Sequence, residues 1–312
     1  MINYFEFEKD IEKIDKFIFD LDKNDNNYSS KLDKLNFEKK KKFDKIYSNL
    51  EPWQKVQVSR HNDRPHAIFY IKSIFEDLVF LHGDKKYADD NAIIGGLAKI
   101  NNQSIVFIGT EKGNTMETRI KHNFGMAKPE GYRKSQRLVS LAEKFNLPII
   151  SFVDTAGAFP GKDAEERGQS ESIASSILSF LKVKIPTISV IIGEGGSGGA
   201  IGIATSDVVL MLEHSTYSVI SPEGCASILW RSTNFTQEAA NTLKLTSEDC
   251  KNFKIVDSII PELSGGAHRN ASSQAELVKK YIFENIENLK KIPTKNLIEN
   301  RKNKYLNITS EI

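Results

Sequence analysis

Five glycines within seven residues follow an apolar run and lead into a segment of small residues. The run is Val190–Ile192, and the glycines are Gly193, Gly195, Gly196, Gly198 and Gly199. Such a pattern predicts a buried strand, a turn and a helix. Because glycine has no Cβ, a ligand can approach the main chain, and the free N–H groups at a helix N-terminus attract anions. The sequence therefore predicts an anion or oxyanion site made of backbone.

One type of site with this pattern is a dinucleotide-binding turn. The spacing Gly193-x-Gly195-x-x-Gly198 fits it, and Glu213, after the next predicted strand, would then hold a ribose. Only about eight residues, 199–206, lie between the glycines and that strand, whereas a crossover between parallel strands needs about a dozen. The spacing therefore argues against a dinucleotide site.

A second type is the turn that holds a nucleophilic serine, which Gly195-x-Ser197-x-Gly199 also fits. A serine nucleophile needs a histidine base, and the candidates are His122, His214 and His268. No local pattern places any of the three near Ser197. A serine between glycines is more often a small residue that lets backbones approach.

A third type needs no side-chain nucleophile. In an oxyanion hole, backbone amides stabilise the charge that develops on a carbonyl oxygen. The amides of Gly198, Gly199 and Ala200 are the candidates here. The structural alternative is that the glycines only close a tight connection between strand and helix.

Composition narrows the class of protein. With 312 residues and 39% hydrophobic residues, the chain can form one large α/β core, and a net charge of +2 gives no field for nucleic acid or membrane. Two cysteines, Cys225 and Cys250, without a Cys-x-x-Cys motif argue against a structural zinc site and fit a reducing cytoplasm. An acidic N-terminus (Glu6, Glu8, Asp10) and the lack of a long apolar run predict a chain that is neither secreted nor membrane-spanning.

Helical and extended patterns alternate along the chain. Apolar stripes from Phe7 to Leu21 and from Leu32 to Leu50 predict two N-terminal helices, and the part from about Glu238 onward is mostly helical. Between them we predict helices over 68–82, 131–145 and 165–181 and strands over 92–100, 105–109, 148–153, 186–192 and 207–212, the first two strands as a hairpin. This succession predicts right-handed crossovers and a layered α/β core.

A second glycine turn, residues 154–161, follows the predicted strand over 148–153. Ligands of α/β sheets bind at the carboxyl ends of strands, so we expect the two glycine turns to form one cleft. Asp154 opens this second turn. Its side chain is predicted either to cap the turn or the next helix or to contact the substrate.

Long blocks of sequence around both turns resemble one family. Besides the two turns they are Arg60-His61 with Arg64-Pro65, Tyr87–Asp90, Asn123–Met126, Pro129–Lys134, Glu165–Glu171 and Ser215–Trp230. In this order they resemble the α subunit of the carboxyltransferase component of multisubunit acetyl-coenzyme A carboxylase, found in bacteria and plastids. The resemblance extends from Pro52 to Arg269.

The resemblance implies an α/β fold of the crotonase/ClpP-like type, a superhelix of ββα units with additional N-terminal and C-terminal helices. It predicts a helical extension over residues 1–52, a crotonase-like carboxyltransferase core over 53–270 and a helical tail over 271–312.

The family transfers the carboxyl group from carboxybiotin, presented by the biotin carboxyl carrier protein, to acetyl-coenzyme A. The product is malonyl-coenzyme A, for fatty acid synthesis. By resemblance, the partners are a zinc-ribbon β subunit in an α2β2 heterotetramer and biotin carboxylase in the holo-complex. No covalently bound cofactor and no metal are expected in this chain, and the expected location is the bacterial cytoplasm, or the stroma for a plastid-encoded chain. A ClpP-like serine hydrolase and a non-catalytic scaffold of the same fold are the alternatives.

The resemblance also assigns site residues. Gly199 and Ala200 match a glycine-alanine pair whose amides face biotin, so the expected catalytic group is Gly198, Gly199 and Ala200. The expected substrate-binding residues are Gly195, Gly196, Gly157, Ala158 and Phe159.

Two positions depart from the family's usual pattern. Ala156 stands where proline is usual, and Thr110-Glu111 stands where His-Gln is usual, before Lys112. Glu111 is expected to bring a carboxylate to a region that meets phosphates, so Lys112 is given no ligand role. Four other cations are candidates either for coenzyme A phosphates or for salt bridges: Arg133, Lys134, Arg167 and Arg269.

Overall fold

A computed structural model of the chain describes residues 3–263 and 265–308. These residues form one mixed sheet with helices on both faces. The strands are β1 Glu76–Phe80, β2 Ile93–Ile100, β3 Gln103–Thr110, β4 Ile149–Thr155, β5 Thr187–Gly196, β6 Val208–Leu212, β7 Thr216–Ser218 and β8 Ser258–Ile260. The helices are α1 Lys9–Phe19, α2 Tyr28–Tyr47, α3 Pro52–Ser59, α4 Ala67–Ile74, α5 Met116–Lys121, α6 Pro129–Phe145, α7 Lys162–Glu166, α8 Gln169–Lys182, α9 Ser197–Ala204, α10 Pro222–Trp230, α11 Thr236–Thr242, α12 Ser247–Asn252, α13 Ala271–Lys290 and α14 Thr294–Leu306, with short 3-10 turns at Glu6–Glu8, Asn123–Gly125 and Thr233–Phe235.

The sheet begins as an antiparallel meander and continues in parallel. The strand order is β1-β2-β3-β4-β5-β6-β8, and β7 pairs with the end of β5. The first three strands are antiparallel neighbours, and the later pairs are parallel. Asn101 and Asn102 form the turn between β2 and β3, both with positive φ, as tight hairpin turns require. The predicted hairpin and the layered α/β core are confirmed.

Alternate residues of the central strands are buried on opposite faces of the sheet. In β4, Ile150 and Phe152 belong to a core with α4 and α13, whereas Ile149 and Val153 belong to a core with α6, α8 and α9. Strands covered on both faces have continuous apolar sequences, which is why β4 and β5 were recognisable. The two cores hold the carboxyl ends of β4 and β5 side by side, where both glycine turns begin.

The N-terminal helices pack on each other and on the rest of the chain. Ile11 of α1 shares an apolar cluster with Phe43 and Tyr47 of α2 and with Val58 of α3. Both predicted N-terminal helices are therefore present. The predicted divisions of the chain after residues 52 and 270 stay predictions, and residues 309–312 of the predicted tail lie outside the described residues.

Two predicted helices have different limits in the structure. The helix predicted over 68–82 ends at Ile74, and the residues after it form β1, which pairs with β2 at the edge of the sheet. The hydrogen-bonded pairing of this segment with the hairpin outweighs the helical spacing of its apolar residues. The helix predicted over 165–181 is divided into α7 and α8, because Gly168 between them has a φ of +79°.

The spacing argument against a dinucleotide site was wrong in its premise. The eight-residue helix α9 does connect β5 and β6, which pair in parallel. The structure opposes a dinucleotide site for another reason. The carboxylate of Glu213, which would have held the ribose, accepts a hydrogen bond of 2.9 Å from the backbone N–H of Glu262.

Candidate functional site

The two glycine turns touch each other at one edge of the sheet. Thr155 pairs with Gly195 at the carboxyl ends of β4 and β5. A Cβ on Gly199 would lie 2.5 Å from the carbonyl carbon of Gly157 and 2.6 Å from the nitrogen of Ala158. Only glycine permits so close an approach of two backbones. The structure thus brings the two predicted turns together in one cleft.

Helix α9 starts inside the glycine loop. Its N-cap residue, Gly196, has no side chain to bond the first N–H groups, and those groups have no acceptors within the helix. They include the amides of Gly198 and Gly199. The preceding Ser197 has a φ of +52°, and the side chain of Ala200 is buried in the core, which fixes the turn. The arrangement is an N-terminal site that favours an anion.

The first glycine turn is held by its own hydrogen bonds. The Thr155 Oγ1 accepts from the Gly157 N–H at 3.1 Å and donates to the Gly157 carbonyl oxygen at 2.8 Å. Gly157 has a φ of +148° and open space where a Cβ would be. Ala158 and Phe159 follow it, half-buried, and the Phe159 N–H donates to the Ala127 carbonyl oxygen at 3.0 Å. This turn is therefore fixed at its two ends, with space beside Gly157 where a Cβ would be.

Asp154 is buried directly behind the glycine loop. Its Oδ1 accepts from the Glu194 N–H at 3.0 Å and lies 2.8 Å from the Lys112 Nζ, and its Oδ2 lies 2.8 Å from the His66 Nδ1. Burial acts to raise the pKa of Asp154, but the charge of Lys112 and the hydrogen bond from His66 hold it well below its ordinary value. Asp154 is thus a buried anion that binds the loop, and its two oxygens are occupied by the protein.

A row of charges continues from Asp154 along the cleft. The Glu194 carboxylate accepts from the Lys112 Nζ at 2.7 Å and from the Arg60 Nε at 2.6 Å, and Arg60 also binds Glu223 at 2.5 Å. Burial acts to lower the pKa of Lys112, but the charges of Asp154 and Glu194 raise it to about 12. Lys112 is therefore a permanent cation whose charge is balanced inside the protein.

A cavity of about 270 Å³ opens beside this row of charges. It shares Arg60, Ala156 and Glu194 with a narrower groove that Gly195 and Gly196 line. The cavity is also lined by Ser59, His61, Asn62, His66, Lys112, Arg119 and Phe124. Of the glycine loop, Glu194 therefore lines the cavity, whereas Gly195 and Gly196 line the groove beside it.

The unusual pair Thr110-Glu111 is directed inward. The Thr110 Oγ1 accepts from the Asp154 N–H at 2.6 Å. Glu111 is buried, and its carboxylate accepts from the N–H groups of Ile68 at 2.7 Å and Gly113 at 2.9 Å. It thus provides an acceptor for a backbone N–H at the N-terminus of α4, which has no acceptor within the helix. Its carboxylate is therefore bound by the backbone, and the expectation that it lies near a phosphate-binding region stays a prediction.

Within the part of the chain that the structure describes, the hydrogen bonds of the histidines go to other residues, and none joins a histidine to Ser197. The His122 Nδ1 lies 2.6 Å from the Asn91 carbonyl oxygen, and His214 and His268 pack against aromatic rings. The spacing of the glycines fits a turn that holds a nucleophilic serine, but the serine lacks the bond to a histidine base that such a nucleophile needs.

The four cations considered for coenzyme A phosphates have partners within the chain. Lys134 pairs with Asp89, Arg167 with Glu130 and Arg269 with Glu8, and Arg133 donates to the Arg167 carbonyl oxygen. These contacts, together with a distance of 3.9 Å between Arg133 and the Glu171 carboxylate, favour the salt-bridge interpretation.

The sequence assigned no site role to His66, Arg60 or Glu194. Glu194 lies between two glycines of the loop at a position that the motifs leave free, and Arg60 and His66 lie in distant segments, although Arg60 stood in one of the resembling blocks. Among the described residues, no cluster of His, Cys, Asp and Glu side chains is arranged to hold a metal ion, and no helix is long and apolar enough to cross a bilayer.

The fold is similar to those of solved carboxyl-transferring and decarboxylating enzymes. A Pseudomonas malonate decarboxylase hetero-tetramer, solved with coenzyme A, is 12% identical with a TM-score of 0.60, over 75% of this chain and 91% of that one. Transcarboxylase 12S is 18% identical with a TM-score of 0.55, and the match covers 70% of this chain and 42% of the transcarboxylase chain. At these identities the likeness concerns the fold, and it confirms the predicted crotonase-like α/β class.

Sequence comparison identifies the family. The family model described as "Acetyl co-enzyme A carboxylase carboxyltransferase-like" matches residues 4–309. Acetyl-coenzyme A carboxylase carboxyl transferase subunit alpha of Paramagnetospirillum magneticum is 50% identical over 305 residues, 96% of either chain. The subunit of the same name from Pelagibacter ubique is 47% identical over 317 residues, 99% of this chain and 85% of that one. The chain belongs to the family of acetyl-coenzyme A carboxylase carboxyl transferase α subunits.

Proposed function

We propose that this chain is the α subunit of a biotin-dependent carboxyltransferase, which moves the carboxyl group of carboxybiotin to acetyl-coenzyme A and so forms malonyl-coenzyme A. The observation that carries the proposal is that the two glycine turns meet at Gly199 and Gly157. Ala156 of one turn and Gly195 and Gly196 of the other line one groove at the start of α9. Relatives with 50% and 47% identity over nearly the whole chain bear the name of this subunit.

The reaction places negative charge on two oxygens. When the carboxyl group leaves biotin, charge develops on the ureido oxygen, and when the acetyl group loses a methyl proton, charge develops on the thioester oxygen. Removing one donor from an oxyanion hole costs about 2.7–4 kcal/mol, so backbone amides alone can supply much of the stabilisation. We assign the amides of Gly198, Gly199 and Ala200 to the ureido oxygen.

The remaining glycine-turn residues are proposed to shape the approach of the substrates. Gly195 and Gly196 line the groove beside the cavity, and Gly157, Ala158 and Phe159 form the facing turn. The second oxyanion then requires another set of donors, which we assign to the β subunit. The free biotin nitrogen takes up the methyl proton.

An exposed apolar surface supports the need for a partner. Val219, Ile228 and Leu229 are 74%, 71% and 64% exposed, and they lie at and just before α10, whose first residue, Pro222, lines the groove beside the cleft. Exposed apolar patches of this kind mark interaction sites. We propose that the zinc-ribbon β subunit covers this surface in an α2β2 assembly, that the biotin carboxyl carrier protein and biotin carboxylase complete the complex, and that it acts in the cytoplasm.

The first experiment measures carboxyl transfer from malonyl-coenzyme A to biocytin, with this chain alone, with the candidate β subunit alone and with the two mixed. The proposal expects transfer only in the mixture. Assembly without transfer, shown by co-elution of the two chains, would indicate a non-catalytic scaffold. Labelling of Ser197 by a serine-reactive probe would indicate a hydrolase.

A further inference from the structure

Arg119 of α5 lines the cavity of about 270 Å³ and is held there by uncharged acceptors. Its Nε donates to the Gly113 carbonyl oxygen at 3.3 Å, and its Nη2 donates at 3.2 Å to Oδ1 of Asn62, which also lines the cavity. Within the part of the chain that the structure describes, no carboxylate oxygen lies within 4.0 Å of this guanidinium. An arginine has five N–H donors, so three of them remain for a ligand.

The two other cations that line the cavity are already paired inside the protein. Arg60 binds the carboxylates of Glu194 and Glu223, and Lys112 binds those of Asp154 and Glu194, all within 2.8 Å. The third cation is therefore the one that the described residues leave without a carboxylate. It is half-buried, and a partly desolvated charge is stabilised by a partner of opposite charge. The cavity thus offers an anion one free guanidinium.

The charges around the cavity favour a carboxylate over a phosphate. Counted with the carboxylates that bind them, the three cations face three carboxylates, so a singly charged group is easier to accommodate than a doubly charged one. A phosphate monoester carries about −1.5 to −2 charges at pH 7, whereas a carboxylate carries one. The planar fork of an arginine also matches the two oxygens of a carboxylate.

The cavity is continuous with the groove that the glycine loop lines, since both include Arg60, Ala156 and Glu194. Its volume is just below the range of about 300–1,000 Å³ for ordinary ligand pockets, so it suits the acyl end of a thioester and not a whole coenzyme. We propose that Arg119 is a substrate-binding residue that holds the carboxylate of the malonyl group. This proposal rests on the proposed function, in which malonyl-coenzyme A has a carboxylate that acetyl-coenzyme A lacks.

Three substitutions separate the carboxylate contact from a general effect of charge. Arg119→Gln removes the charge but keeps a side-chain amide as a donor. Arg119→Lys keeps the charge but loses the paired donors of the fork. The matched control is Lys121→Gln, which removes a positive charge from an exposed position of the same helix, outside the lining of the cavity.

The measurement is titration calorimetry of malonyl-coenzyme A and of acetyl-coenzyme A into the complex assembled with the β subunit, without biotin. The two ligands share the whole coenzyme and differ in the carboxylate. Arg119→Gln is expected to raise the Kd of malonyl-coenzyme A roughly tenfold or more, as the loss of a charged hydrogen bond implies, and to leave that of acetyl-coenzyme A within about twofold of wild type. Arg119→Lys should lie between wild type and Arg119→Gln, and the control should change neither Kd.

Three results would overturn the proposal. An equal rise of both Kd values in Arg119→Gln would assign the guanidinium to the coenzyme, whose phosphates the two ligands share. Unchanged Kd values for both ligands would exclude a contact with either. Weaker binding of the β subunit by Arg119→Gln, with both ligands bound as in wild type, would place the side chain in the interface between the subunits.

Carboxyl transfer to biocytin is measured separately, so that the two proposals can fail independently. If the wild-type complex transfers carboxyl groups but Arg119→Gln binds malonyl-coenzyme A as tightly as wild type, the role of Arg119 is wrong and the proposed function stands. If Arg119→Gln selectively weakens the binding of malonyl-coenzyme A but the wild-type complex transfers nothing, the binding role stands and the proposed function fails.

Discussion

The backbone N–H of Glu194 donates a hydrogen bond of 3.0 Å to the Asp154 carboxylate, and this contact connects the glycine loop to the turn before it. The loop is wrapped closely around that carboxylate, since a Cβ on Gly193 would lie 2.4 Å from Oδ1 of Asp154. The position of the loop amides therefore depends on a buried anion whose two oxygens are bound by the protein.

Asp154→Asn should damage both stability and activity. The substitution removes a buried anion and leaves Lys112 with Glu194 as its remaining carboxylate partner. Breaking a buried ion pair in this way costs about 3–5 kcal/mol. A displacement of the loop by about 1 Å would lower the transfer rate roughly 100-fold. Urea unfolding and the biocytin assay measure the two effects.

The control for this substitution is Asp163→Asn. Asp163 lies in an exposed ion pair with Arg167 and Lys128, and exposed pairs contribute little. We expect no measurable loss of stability in the control. Equal losses of stability in the two variants would contradict a structural role for Asp154 in the loop.

Glu262 gives the chain a specific sensitivity to acid. It is fully buried and accepts from Arg64 at 2.6 and 2.9 Å. Burial acts to raise the pKa of Glu262, but the charge of Arg64 lowers it to about 2, compared with about 4.3 in an unfolded chain. Because the folded pKa is the lower one, the ionised group stabilises the fold above about pH 4.3, by on the order of 3 kcal/mol, and this contribution is lost as the pH falls towards 2.

The pH dependence is tested with Glu262→Gln. Its free energy of unfolding should lie below that of wild type at pH 7, and the gap should narrow as the pH falls from about 4.3 to 2. Glu284→Gln, which removes an exposed partner of Lys280, serves as the control and should follow the wild-type curve. A gap of constant size across this interval would contradict the assignment.

The two glycine turns could be predicted from the sequence because their signal is local. Apolar strands followed by glycines specify a strand, a turn and a helix without knowledge of the rest of the fold. The pair of His66 and Asp154 could not, since the two residues are 88 positions apart and meet only after the sheet has formed. The role of Glu111 could not be predicted for the same reason, because its hydrogen bond at the start of α4 depends on a tertiary contact.

Gly199→Ala should abolish carboxyl transfer. The new Cβ would lie 2.5 Å from the carbonyl carbon of Gly157, so the two turns must separate and the amides must move. Gly198→Ala should cost much less, because its Cβ would meet nothing closer than a carbon of Ile173 at 3.6 Å. The biocytin assay compares the two variants, with melting temperatures as the check on folding. A smaller loss for Gly199→Ala than for Gly198→Ala would contradict an amide site at α9.

Ile228→Glu should weaken assembly with the β subunit and leave the isolated chain folded. Ile228 is 71% exposed on α10, so a charge there has little effect on the free chain but is desolvated in an apolar interface. Phe19→Glu is the matched control, since Phe19 is 89% exposed at the end of α1, in the N-terminal helical pair. We expect at least about tenfold weaker binding of the β subunit for Ile228→Glu, measured by titration calorimetry, and unchanged binding for the control. If Phe19→Glu weakens binding and Ile228→Glu does not, the partner surface lies on the N-terminal helices instead.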